Sequence, residues 1–75
     1  MADQTLDTKG LNCPLPILKA KKALTGMEAG QTLEVLSTDP GSVKDFAAFS
    51  RTTGNEIVEQ GEEGGVFRFI LKKAA

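Results

Sequence analysis

The chain has 75 residues, with 9 basic and 10 acidic side chains, a single cysteine and no histidine, tryptophan or tyrosine. One cysteine and no histidine exclude, within the chain, an intramolecular disulfide, the usual zinc sites, Cys–His pairs and Ser–His–Asp triads. A net charge of −1 without stacking tyrosine or tryptophan gives no footprint of nucleic-acid binding, and no Gly-rich phosphate loop is present.

Seventy-five residues make one small domain, predicted to span 1–75, whose stability must come from two helices packed on a sheet. The lack of a disulfide framework, a signal-peptide pattern or a long apolar run argues for a reducing cytoplasm and against a membrane. Residues 1–4 read as a frayed end, and Thr5-Leu6-Asp7-Thr8 alternates as a short strand ended by Gly10. A helix is predicted from Pro14 to about Gly26, with Gly26 or Gly30 as its stop. Pro14 fits the first helical position, where a missing N–H costs nothing. Cys13 is then the expected N-cap, and because Pro16 has no amide, Leu15 N–H is the expected donor to the Cys13 sulfur.

On that helix Ile17, Ala20, Ala23, Leu24 and Met27 share one side and are predicted to bury, whereas Leu15, Leu18 and Lys22 fall on the other, with Lys19 and Lys21 at its margins. Leu33–Ser37 is the second strand. Asp39 and Pro40 read as cap and first residue of a second helix running to about Thr53 and closed by Gly54. Its expected buried stripe is Val43, Phe46, Ala47 and Ser50, with Phe49 at the edge, either core or a second, weaker contact. Ile57–Gln60 and Val66–Lys72 are two further strands joined by a hairpin rich in glycine and glutamate. Phe67, Phe69 and Leu71 point to one face and Val66, Arg68 and Ile70 to the other, and the phenylalanine face is the expected core. The order βαβαββ is an α/β (α+β) two-layer sandwich, two helices on a four-stranded mixed sheet. A right-handed strand–helix–strand crossover makes the first two strands parallel and brings Cys13 and Asp39 to one sheet edge.

Gly10-Leu11-Asn12-Cys13-Pro14-Leu15-Pro16 has the form Gly-Leu-x-Cys-Pro-x-Pro, and with the downstream Asp39-Pro40 the whole chain resembles the TusA/SirA-like family of sulfur carriers. The resemblance implies a cytoplasmic relay in which Cys13 holds sulfane sulfur as a persulfide, supported by Gly10, Pro14 and Pro16, with no cofactor beyond that covalent sulfur. It implies a donor protein (a cysteine desulfurase or rhodanese) and an acceptor protein (DsrE- or TusD-like), with the chain acting as a monomer and not binding nucleic acid itself. The pathways it implies are tRNA thiolation, molybdenum-cofactor metabolism or dissimilatory sulfur oxidation. It also puts the aspartate matching Asp39 in the partner-facing region.

The residues give that chemistry a physical basis. A cysteine at a helix start with Lys19, Lys21 and Lys22 nearby is expected to titrate moderately below the free value of about 8.5, which favours the nucleophilic thiolate. With no second cysteine, no resolving thiol in the chain can release the cargo. Turnover must therefore come from the partners, and the expected activity is a pair of sulfurtransferase half-reactions. Leu15, Leu18, Lys21, Lys22 and Asp39 are the expected docking surface. Two other readings stand beside the carrier. An exposed thiol of low pKa can act as a redox sensor through sulfenic acid, and the leucine–lysine face can serve a regulatory interaction module in which Cys13 is only structural.

Overall fold

Strand alternation and helical spacing give the element order that the sequence predicts, although the first strand starts at Gln4 and Asp3 is bonded to Thr32, inside the expected frayed end. The computed structural model describes residues 2–12 and 14–74, with β1 (Gln4–Asp7), α1 (Leu15–Thr25), β2 (Thr32–Ser37), α2 (Ser42–Thr53), β3 (Glu56–Glu63) and β4 (Val66–Lys72). The sheet order is β1-β2-β4-β3. β1 runs parallel to β2, and β4 lies antiparallel to both β2 and β3, so the sheet is mixed.

The register opposes Leu33 to Leu71 and Val35 to Phe69. Because side chains alternate along a strand, these four share a face, and both helices cover it. Ala20 and Leu24 of α1, Met27 beyond it, and Phe46 and Phe49 of α2 close the core against Leu33, Val35, Phe69 and Leu71. The Phe46 ring lies 4.7 Å from Phe69, stacked, and 6.2 Å from Phe49, edge-on, the two geometries that the ring quadrupole favours. Ile17, Ala23, Val43 and Phe67 pack against this cluster half-buried.

Of the two roles open to Phe49, the structure gives core, at 8 % exposure. Phe49 packs edge-on beside Phe46, and Val43, Ala47 and Ser50, expected on the buried stripe, are only half-buried.

The hairpin is tighter than expected. β3 continues through Gly61 to Glu63, leaving Gly64 and Gly65 as the turn, with φ of +59° and +84°. Two consecutive positive φ values match the right-handed twist of paired strands, which is why glycine serves at both. A register shift at Ile57/Glu59 leaves Val58 as the extra residue, 46 % exposed.

The other face of the sheet is uncovered by helices. There Arg68 donates to Glu34 on β2 and, at 2.6 Å, to Glu59 on β3. Ile70 stands between those two glutamates in register and is 6 % exposed. The hydrogen bond from Arg68 holds the Glu59 carboxyl below the usual carboxylate range, and the same bonds push the guanidinium up. No helix among the described residues is long and apolar enough to cross a membrane.

Candidate functional site

Parallel pairing of β1 with β2 sends both strand ends, and both helix starts, to one edge of the sheet. Hydrogen bonds tie the two connections there together. Thr8, fully buried, donates to the Leu36 carbonyl from its N–H at 2.8 Å and from its hydroxyl at 2.5 Å. Lys9 N–H goes to Asp7 Oδ1 at 2.9 Å, Gly10 N–H to Thr38 Oγ1 at 2.9 Å, and Leu11 N–H to the Thr8 carbonyl at 3.1 Å. Gly10 makes this turn at φ +85°, where an L side chain is strained. The segment from Thr8 to Leu11 is therefore held residue by residue as it leads into the Cys-Pro-Leu-Pro run.

Cys13, the expected nucleophile, lies outside the described residues. Its neighbours correct the expected capping scheme. The helix begins at Leu15, with Pro14 in the N-cap position and no side-chain cap bond. Leu15 N–H donates to the Asn12 carbonyl at 2.9 Å, and the bond expected from it to the Cys13 sulfur lies outside the described residues. Prolines have no amide to offer, so the chain closes a backbone turn over residues 12–15 before entering the helix. Pro16 is buried on the same stripe as Ala20 and Leu24, which anchors the first turn to the core.

The second helix start is also delayed. α2 begins at Ser42 with Gly41 as N-cap, two residues later than the Asp39 cap and Pro40 start expected. Asp39 caps a preceding turn, its Oδ1 accepting Gly41 N–H at 3.0 Å and its carbonyl accepting Ser42 N–H at 2.9 Å. Behind it Ser37 Oγ and Ser42 Oγ meet at 2.5 Å in a buried pair, and Ser37 Oγ accepts Asp39 N–H at 3.2 Å. At the far end Gly54, φ +80°, closes α2 through its N–H to the Ser50 carbonyl, as expected.

The helix wheel placed the surface correctly. Leu15 and Leu18 are 44 % and 53 % exposed, and Lys21 and Lys22 are exposed beside them. Pro14, Leu18 and Lys21 join Phe49, Asp45 and Thr52 of α2 around a groove of about 430 Å³ between the helices. Leu15 and Lys22 lie on α1 outside that lining, and Asp39 is half-buried at the adjoining loop. Charge is segregated on two elements. α1 carries Lys19, Lys21 and Lys22 and no acid, whereas β3 carries Glu56, Glu59, Glu62 and Glu63 and no base.

Thr8, Ser37, Thr38 and Ser42 were not singled out in the sequence. Thr8 and Thr38 act on partners reached through the parallel pairing, Ser37 and Ser42 meet each other across the β2–α2 turn, and short polar residues at such turns carry no distinguishing pattern. Of the groove residues, Pro14, Leu18 and Lys21 were expected at the site, and Phe49 carried a further signal as a second aromatic three positions from Phe46.

Residues 4–73 match the family model described as Sulfurtransferase TusA. The sulfur carrier protein TusA of Allochromatium vinosum is 64 % identical over 72 residues, covering 96 % of this chain and 95 % of that protein. A putative sulfur carrier protein of Neisseria meningitidis is 50 % identical, covering 96 % and 97 %. Among solved structures, a SirA-like protein from Desulfitobacterium hafniense superposes with a TM-score of 0.83 at 28 % identity, covering 96 % of this chain and 99 % of that one. With motif, topology and near-full-length similarity in agreement, the chain belongs to the TusA family of sulfur carrier proteins.

Proposed function

We propose that this protein relays sulfane sulfur as a persulfide on Cys13 between a donor protein and an acceptor protein in the cytoplasm. The observation that supports the reading is the anchored Thr8–Leu11 segment, which lies at the edge where both helices start and directly precedes the Cys-Pro-Leu-Pro run in sequence, with Leu15 and Leu18 of that run's helix exposed.

In the first half-reaction the Cys13 thiolate attacks the outer sulfur of a donor persulfide. A new S–S bond forms on Cys13, the donor's S–S bond breaks, and the donor leaves as a thiolate. In the second, an acceptor thiolate attacks the outer sulfur on Cys13, and Cys13 is restored as a thiolate. Each step exchanges one S–S bond for another, so no external oxidant or reductant is consumed. The low pKa expected of Cys13 raises the thiolate fraction for the first step and makes Cys13 a better leaving group in the second. A cysteine desulfurase or a rhodanese is the donor class. The acceptor, of the DsrE or TusD kind, sets whether the sulfur goes to tRNA, to molybdenum-cofactor metabolism or to sulfur oxidation. Both partners dock on Leu15, Leu18, Lys21, Lys22 and Asp39, since both must reach one sulfur atom.

The test is intact mass after incubation with a cysteine desulfurase and cysteine, or with a rhodanese and thiosulfate. The expected result is a gain of one sulfur that dithiothreitol removes and that Cys13→Ser lacks. A serine variant gaining the same mass overturns the assignment, and one that keeps full biological activity points to the adaptor reading.

A further inference from the structure

Of the four buried polar side chains among the described residues, three (Thr8, Ser37 and Ser42) lie at the edge just described, the fourth being Asn55. Burying a hydroxyl is costly unless it is hydrogen-bonded, and each of these is: Thr8 to Leu36, and Ser37 and Ser42 to each other. Satisfied polar groups of this kind specify geometry more sharply than apolar packing does. Here they fix the residues on either side of Thr38. Ser37 is locked to Ser42, and Asp39 N–H is locked to Ser37 Oγ, so the backbone through Thr38 has little freedom.

Thr38 itself is exposed, and its hydroxyl accepts Gly10 N–H at 2.9 Å. That bond joins the connection before α2 to the connection carrying Cys13, 28 residues apart in sequence. Thr8 holds the other side of the same turn through two bonds to the Leu36 carbonyl.

We propose that Thr38 is a positioning residue for sulfur transfer. Its hydroxyl, set by the buried Ser37–Ser42 pair, latches Gly10 and fixes the loop that delivers Cys13 to a partner. The proposal rests on Cys13 being the carrier. Because both latch residues are exposed, water can replace the bond without cost to the fold. The loss then falls on orientation at the reacting atom, where small misplacements slow a reaction strongly.

Thr38→Val removes the acceptor and keeps the shape, and Thr38→Ser restores it. Three readouts on the full chain separate the roles: the rate of sulfur loading from a cysteine desulfurase with cysteine, the pH profile of Cys13 alkylation by iodoacetamide, and the exchange rate of the Gly10 amide by NMR. Thr38→Val is expected to slow loading by a factor of about two to ten, the equivalent of one ordinary hydrogen bond. It is also expected to shift the alkylation profile and speed Gly10 exchange, with an unchanged melting temperature and with Thr38→Ser near wild type in all three. The latch is overturned if Thr38→Val loads at the wild-type rate with an unchanged alkylation profile. It is equally overturned if Thr38→Ser fails as badly as valine, or if loading falls only in step with melting temperature. Failure of the carrier reading looks different, because wild type then takes up no sulfur, or Cys13→Ser takes it up equally. The alkylation and exchange readouts then still decide the latch.

Discussion

Leu18 is half-exposed on α1, one helical turn beyond Pro14, and lines the groove that Phe49 floors from α2. An exposed leucine contributes little to folding, whereas a central apolar contact in a docking patch governs how slowly a partner leaves. Leu18→Glu is therefore expected to leave circular dichroism and melting temperature unchanged and to slow sulfur transfer to or from at least one partner. A collapse in melting temperature without a separate transfer defect would place Leu18 in the core and move the docking surface elsewhere. The exposure of Leu15 and Leu18 and the burial of Ala20, Leu24 and Met27 were legible from helical spacing alone. Burial of Thr8, Ser37 and Ser42 was not. No sequence pattern marks those hydroxyls: Thr8 is satisfied by a segment 28 residues away, and Ser37 and Ser42 meet only once the turn into α2 has formed.

At the scale of elements, the order βαβαββ and the parallel β1–β2 pair followed from patterning and the crossover rule, but both helix starts came later than expected. Cys13-Pro14 and Asp39-Pro40 look like cap and first residue. In each case a backbone turn intervenes, because the chain leaving a parallel strand must reverse before it can lie back across the sheet. Local cap signals do not encode that reversal. The ladder of Arg68 with Glu34 and Glu59 on the uncovered face gives an element-level test. Glu59, lowered by Arg68, titrates below its unfolded value. Its contribution is therefore present above the unfolded value near 4.5 and is lost as pH falls through the lower folded value. Glu59→Gln should give a slightly lower urea midpoint than wild type at pH 7, with the difference vanishing as pH falls below the folded value. An equal difference at both ends of that range would show that the side chain acts through packing and not charge. Solvent exposure of the pair keeps the effect small.

At the scale of the whole molecule, the lysines of α1 and the glutamates of β3 belong to opposite layers. Charge at the rim of a docking surface acts mainly on encounter rate, and exposed charges are screened beyond about 10 Å at 0.1 M salt. Lys21→Glu combined with Lys22→Glu should slow partner association at low ionic strength, with the defect shrinking as salt is raised. A defect independent of salt would mean that the lysine stems pack against the partner. The same partition has a consequence for the approach itself. A net charge of −1 would leave a uniformly charged protein almost indifferent to another protein's field. With α1 basic and β3 acidic on opposite layers, the two elements contribute a dipole, on which an acidic partner would exert a torque before contact. Under the proposed relay, such a torque would turn the helices toward the partner while both still diffuse and shorten the rotational search for the docked orientation.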